Sequence, residues 1–457
     1  MPIATIHRMN DWFDHAFRGL GVAVPKAEVL NLASTVHQCM EAKTRTYHTS
    51  FHVLGLCEGM QPIQVLAALF HDVVFYQVDG GFPACVAGLL EPVTCHEPGL
   101  LRLCEVAPED RTMMLCLDIF GFHSGQRLSP RQGMNEFLSA VVAARLLQPY
   151  LSDSQLMSVV ASIELTIPFR GPNAKGHSAA QRLAQHIQTC RTRLTSTRCE
   201  PNPPDTAFVK TTVTNAVDLA NRDVIGFIEA SPQYCLVNSM LLVEESMMPR
   251  AASGKRSLQA YRSALLGMDG FLGHLNPAWV GQSFEGHPSA GGVMQMQTTA
   301  QKNIGFVRNY LAAVLNTVAL LEALAKCAGV GSPTALSLLS MNDAKGVRFP
   351  SPAARRGIQA DVHQLLKHGL SDPDGPELQA LPLAACVYQF LGQEATRQSL
   401  QLATQMFDGS LTPRAFLQHL DRKLVCAIVQ LAAAMVEAHK EALLALEQGL
   451  YEAHVTN

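Results

Sequence analysis

In NIGFVRNYLAAVLNTVALLEALA, the residues Ile304, Val307, Leu311, Val314, Val318 and Leu321 step by three and four positions. That spacing draws one apolar stripe along a helix and cannot suit a strand, whose faces alternate every second residue. LTPRAFLQHLDRKLVCAIVQLAAAM repeats it through Leu417, Leu420, Leu424, Ile428, Leu431 and Met435. Thr412 is the expected N-cap there and Pro413 the first helical residue. LSPRQGMNEFLSAVVAARLL and LSDSQLMSVVASIELTIPF read as two more helices, each opened by a Ser or Asp cap, the second stopped by Pro168. Alternating strand patterns are almost absent, so the expected fold class is all-α.

With 457 residues, 48% hydrophobic and 16% charged, the chain can bury a large core spread over two or three domains. A formal net charge of −3 argues against a general nucleic-acid or membrane-surface binder. No secretory pattern opens the chain, and no apolar run reads as a bilayer span. The 12 cysteines lack any CxxC pair and read as reduced thiols. These features together predict a soluble, cytoplasmic protein. Three stretches interrupt the helices. Arg170–Lys210 is rich in Arg and contains PNPP, Gly267–Gly292 reads as a long glycine-rich loop, and Asn342–Gly375 holds two Pro-rich turns. Residues with metal-binding chemistry thin out beyond about residue 230, which suggests a metal-binding helical domain over 1–230 and a second helical domain over 231–457.

RTYHTSFHVLGLCEGMQPIQVLAALFHDVVFYQV sets His48, His52, His71 and Asp72 in apolar surroundings. These residue types offer nitrogen and oxygen ligands to a divalent metal. His48 and His52, four apart, would share one face of a helix. Any single histidine is more often a satisfied core residue. Burying Asp72 in an apolar helix, however, costs several kcal/mol unless a cation or hydrogen bonds compensate.

Arg45, Tyr47, His48 and His52, followed by Ala67, Phe70, His71, Asp72 and Tyr76, resemble the HD-domain metal-dependent phosphohydrolase superfamily, in its branch with a YHNxxH signature. Thr49 stands where that branch has Asn. The resemblance implies an HD-like helical bundle in the N-terminal half, with the long C-terminal helices additional to it. It also implies a distant aspartate closing the metal site. NAVDLANRDVIGF offers Asp218 and Asp223, with VDLA similar to the family's terminal Asp-Leu pattern, which favours Asp218. NEFLSA has Ser139 where the aspartate would fall, and Glu136 one turn earlier could substitute.

The expected ligands are therefore His48, His71, Asp72 and Asp218, holding manganese, iron, magnesium or zinc. His52 or Glu164 would manage the proton, and Arg45 or Arg170 would hold the phosphate. Glu164 could equally form an ordinary salt bridge with Arg170. Asp118 and His123 are candidates for a second ion, whereas His96, His177, His274 and His287 carry no pattern. The expected activity is hydrolysis of a small phosphate ester, a nucleotide among the candidates. The alternatives are a di-iron oxygenase on the same scaffold and a non-catalytic helical scaffold with a degenerate site. The C-terminal helices could support a homodimer or form a lid.

Overall fold

The computed structural model describes residues 2–97, 100–196, 206–248, 257–329, 357–371, 377–435 and 439–451. Arg198, Glu200, PNPP and Asp205 of the basic stretch, and most of the Pro-rich stretch (342–356 and 372–376), lie outside them. The protein is all-α in fold class, with one small sheet among the described residues. It divides into two compact units, one of residues 1–230 with 275–301 and the other of 231–274 with 302–457.

The first unit contains α1 (Pro2–Gly19), α2 (Lys26–Met40), α3 (Ser50–Cys57), α4 (Pro62–Phe70) and the one-turn α5 (Tyr76–Asp79) and α6 (Ala87–Leu90). A sheet of β1 (Thr94–Glu97), β2 (Leu100–Leu103) and β3 (Arg127–Leu128) follows, with α7 (Arg111–Phe120) between its last two strands. The pairing is antiparallel, with Thr94 opposite Leu103 and Leu101 opposite Leu128. Cys95 and Cys104 are bridged there, their Cα atoms 5.7 Å apart, which corrects the expectation that every cysteine is reduced. Adjacent antiparallel strands place Cβ atoms close enough for that bond, a proximity that spacing along the chain does not reveal.

Helices α8 (Met134–Leu147), α9 (Asp153–Leu165), α10 (Ala179–Ser196) and α11 (Thr206–Asp223) complete this unit's main framework. At its centre lies α4, packed on α1, α3, α8, α9 and α11. Its residues Val65 to Phe70 are all fully buried, so the helix end that carries His71 is fixed on every side. Ser152 caps α9 as expected, accepting from Gln155 N while the Gln155 side chain accepts from Ser152 N. The Ser cap expected for the preceding helix is not used. Pro130–Gln132 forms a separate 3₁₀ turn, and α8 starts after Gly133 at φ 82°. A Cβ on Gly133 would lie 2.2 Å from Ile167 Cδ1, so glycine is what lets the start of α8 approach the end of α9.

In the second unit are α13 (Pro232–Met247) and α14 (Leu258–His274), the one-turn α12 (Ile225–Ile228) belonging to the first. Helix α14 runs through Gly267, Gly270 and Gly273, so the expected glycine loop is confined to the residues between α14 and α15 (Ala290–Ala328). The division between units falls within α15. All six stripe residues from Ile304 to Leu321 are buried. This helix is long and apolar enough to cross a membrane, contrary to the sequence expectation, but 72% of its most apolar window is packed inside the protein. The unit ends with α16 (Ala360–His368), α17 (Pro382–Asp408), α18 (Pro413–His419), α19 (Arg422–Met435) and α20 (Lys440–Tyr451). Thr412 caps α18 as expected, its hydroxyl accepting from Ala415 N at 3.2 Å. The continuous pattern from Leu417 onward is nevertheless two helices. Leu420 is extended, and the Asp421 carboxylate accepts from Lys423 N to start α19.

Candidate metal centre

The residues that converge come from the ends of helices. His52 lies in the first turn of α3, His71 caps the C-terminus of α4 with Asp72 beside it, and Asp223 is the last residue of α11. Helix C-termini carry partial negative charge, so carboxylates gathered there require a positive counterpart. His52 Nε2 lies 3.4 Å from Asp72 Oδ2 and 3.1 Å from Asp223 Oδ1. His71 Nε2 lies 2.9 Å and 3.4 Å from the same two atoms. Ligand atoms of His52, His71 and Asp72 all fall within 4.8 Å of one another, a group able to hold a metal ion.

The ring of His71 supplies a test of whether a cation suits this place. Its Nδ1 sits 2.8 Å from the Ala68 carbonyl oxygen, which can only accept, so Nδ1 carries the hydrogen. In the neutral ring Nε2 then presents a lone pair to two carboxylates. That buried nitrogen makes no hydrogen bond of acceptable geometry, despite its closeness to Asp72. Either a second proton or a cation must occupy the space, and a Nδ1–H···O=C bond is the usual support for a metal-ligating Nε2. Two imidazoles and a carboxylate, with the Asp223 carboxylate 3.1 Å from His52, are donor types that suit a divalent metal.

In the metal-free protein, protons fill that role. Burial disfavours the charged ring of His52, but hydrogen bonds to Asp223 and Asp72 outweigh it and raise its pKa to about 9. His71 is likewise raised well above its ordinary value, burial being overcome by the fields of Asp72 and Asp223. Asp72 is held well below the usual carboxylate range, against its burial, by His71 and His48. Asp223 is lowered to about 2, again against burial, chiefly by His71 and His52.

Neither Asp218 nor His48, both expected as ligands, is in the group of His52, His71 and Asp72. Asp218 is half-exposed and lies 2.7 Å from His287 Nε2, and the α11 carboxylate beside His52 and His71 is that of Asp223. The buried stripe of α11 includes Val209, Thr212 and Ala216. At 100° per residue Asp223 continues that stripe, whereas Asp218 falls on the opposite face. His48 was paired with His52 on the assumption of a common helix, but α3 begins at Ser50 with Thr49 extended. From outside the helix His48 still packs beside His52, their rings 6.0 Å apart, with Phe75 at 4.5 Å and Tyr47 at 4.9 Å. His52, expected to handle protons, is one of the two histidines in the ligand group.

Arg45 is a positioning residue. Its side chain is fully buried, with Nε and Nη2 on the Asp79 carboxylate at 2.9 Å and 2.6 Å and Nη1 on the Asp72 carbonyl at 2.7 Å. Further contacts to the carbonyls of His48 and Val73 use its other donors, leaving none to hold a phosphate. Ser139, where the family aspartate would fall, instead accepts the Val74 N–H at 3.1 Å.

Glu136, in the first turn of α8, faces the cluster electrostatically. Burial, reinforced by Asp72 and Asp223 and only partly offset by its own backbone N–H and Arg170, pushes its pKa up to about 7. Its buried Oε2 has no hydrogen-bond partner. Glu164 is buried and ion-paired with Arg170, Nη1 to Oε1 at 2.5 Å, so the salt-bridge expectation describes it and not a free base. Asp118 pairs with Arg193 at 2.6 Å, and His123 bonds the Ser124 carbonyl in an exposed turn, so the structure gives neither a place in the cluster.

No protein-family model, curated protein or solved structure matches this chain.

Proposed function

We propose that this protein is a divalent-metal-dependent phosphohydrolase, acting on a small phosphate ester, with nucleotides the first class to try. The observation that carries the reading is the buried Nε2 of His71, its tautomer fixed by Ala68 and its lone pair facing two carboxylates. His52, His71, Asp72 and Asp223 would hold the ion. When bound, such an ion lowers the pKa of a coordinated water and polarises a phosphoryl oxygen.

The chain's own residues supply the rest. Arg45 clamps the backbone at Asp72 and Val73, which fixes the carboxylate beside His71. Glu136, poised to gain or lose a proton near neutrality, takes the proton released by the attacking water and returns it to the leaving alkoxide. Arg170 is about one-fifth exposed and keeps Glu164 neutralised; with Nε and Nη2 engaged by Ile167 and Glu164, its second Nη1 N–H is the donor left for a phosphate. Resemblance of the Arg45–Tyr76 stretch to HD-domain phosphohydrolases supports the same chemistry.

The test is elemental analysis followed by a phosphatase panel. Wild type should bind manganese, iron, magnesium or zinc and release inorganic phosphate from some member of a nucleotide and phosphate-ester set. His71→Ala with Asp72→Ala should lose both properties. Equal, negligible metal content in wild type and variant under saturating metal would sink the proposal.

A further inference from the structure

Cys39 and Cys85 lie in the first unit, apart from the His/Asp cluster. Cys39 is in the last turn of α2 and buried, whereas Cys85, just ahead of α6, is exposed. Their sulfurs are 3.3 Å apart although 46 residues separate them in the chain. Neither is in a disulfide, so two thiols from distant elements face each other with one open to solvent. A disulfide needs sulfurs about 2.05 Å apart, so the two must approach by only about 1.2 Å.

We propose that Cys39 and Cys85 are a reversible redox pair, closed by hydrogen peroxide and reopened by a small thiol. Cys85 is the side that peroxide can reach. Its thiolate attacks one peroxide oxygen, the O–O bond breaks, and Cys85 becomes a sulfenic acid as hydroxide leaves. The Cys39 sulfur then attacks that sulfur, the S–O bond breaks, and water departs with the Cys39 proton. In sum, two thiols and one peroxide give one disulfide and two waters. The contact with Cys39 lowers the Cys85 pKa to about 7, which supplies thiolate at neutral pH, while the same contact and burial raise Cys39.

The loop so closed contains Arg45, His52, His71 and Asp72. Cys39 precedes Met40, whose sulfur receives an Arg45 N–H at 3.3 Å. Oxidation therefore ties α2 to the segment before α6 around the stretch that Arg45 clamps, and the constraint falls mainly on the unfolded chain. This inference does not rest on the phosphohydrolase reading, since its readouts are covalent and thermal.

The experiment treats the full chain with a small excess of hydrogen peroxide, alkylates the remaining thiols and digests it for mass spectrometry. A peptide joining Cys39 to Cys85, two hydrogens lighter than its parts and cleaved by dithiothreitol, is the expected product. Cys39→Ser should leave Cys85 as a sulfenic acid trapped by dimedone. If that buried substitution prevents folding, transient dimedone capture at Cys85 in wild type reports the same step. Oxidised wild type should melt at least about 3 °C above oxidised Cys85→Ser, in which the Cys95–Cys104 bridge remains. Cys39 fully alkylated after oxidation, Cys85 joined to a second chain, or equal melting temperatures would each overturn the proposal.

Discussion

Both units hold self-satisfied buried ion pairs, Arg45–Asp79 among those of the first, but the first also holds a cluster of another kind. In the second, Arg262 meets Glu322 at 2.5 Å with both side chains nearly buried, and Arg308 meets Asp269 at 2.9 Å. Neighbouring polar groups close on one another, with Arg397 donating to Asn309 and Asn309 to Gln359. Each arginine is permanently charged, so these pairs are neutral at any ordinary pH. In the first unit, two imidazoles share two carboxylates and Glu136 stands behind them with an unpartnered oxygen. Their balance depends on protons or on a cation brought from outside. A pair that satisfies itself holds a fold together, and a cluster that needs something added is where a ligand belongs.

The largest effect expected from breaking that contrast is in the second unit. Arg262→Met would strand the Glu322 carboxylate in the interior and remove the cation that stacks 4.6 Å from the Phe407 ring. Denaturant titration should show a loss of about 3 kcal/mol, partly recovered when Glu322→Met is added. Metal content should be unchanged. A variant as stable as wild type would show that the pair is not structural after all.

Next comes the choice between two aspartates on one helix. Asp223→Ala should weaken metal binding by at least about 100-fold, because a lost ligand costs no less than a lost supporting contact. Asp218→Ala, which removes only the half-exposed partner of His287, should stay within about 3-fold. Chelation should lower the melting temperature of wild type, since ion at 100 times its Kd contributes about 2.7 kcal/mol. Reversed ranking in a metal titration would move the site off the end of α11.

How much of this was written in the sequence differs by residue. The α15 stripe was legible because its period belongs to the helix itself. His71 and Asp72 were legible because charged groups ending an apolar run demand a partner. Asp223 could have been found from its phase with Val209, Thr212 and Ala216, but a short motif match pointed to Asp218 instead. His48 and His52 do not share a helix face, because α3 starts after His48, yet their rings lie 6.0 Å apart. The roles of Arg45 and Glu136 were not legible. Whether an arginine reaches substrate or backbone, and whether a glutamate faces solvent or other carboxylates, depends on packing between segments far apart in the chain.

The smallest effect, and the most direct probe of an incomplete cluster, is the pH dependence contributed by Glu136. Its folded pKa of about 7 lies above the ordinary 4.5, so folding favours the protonated form. The associated stability is fully present below pH 4.5 and is lost as pH rises through about 7. In chelator-treated protein, wild type should therefore lose stability relative to Glu136→Gln across that window. Titrations of His52, His71, Asp72 and Asp223 occur in both proteins, so the difference between the two curves isolates the glutamate. Restoring the metal should flatten that difference, because a nearby divalent charge stabilises the Glu136 carboxylate and draws its pKa down. Parallel curves in chelated protein would mean that Glu136 is already satisfied, and the proton-handling role assigned to it would fall.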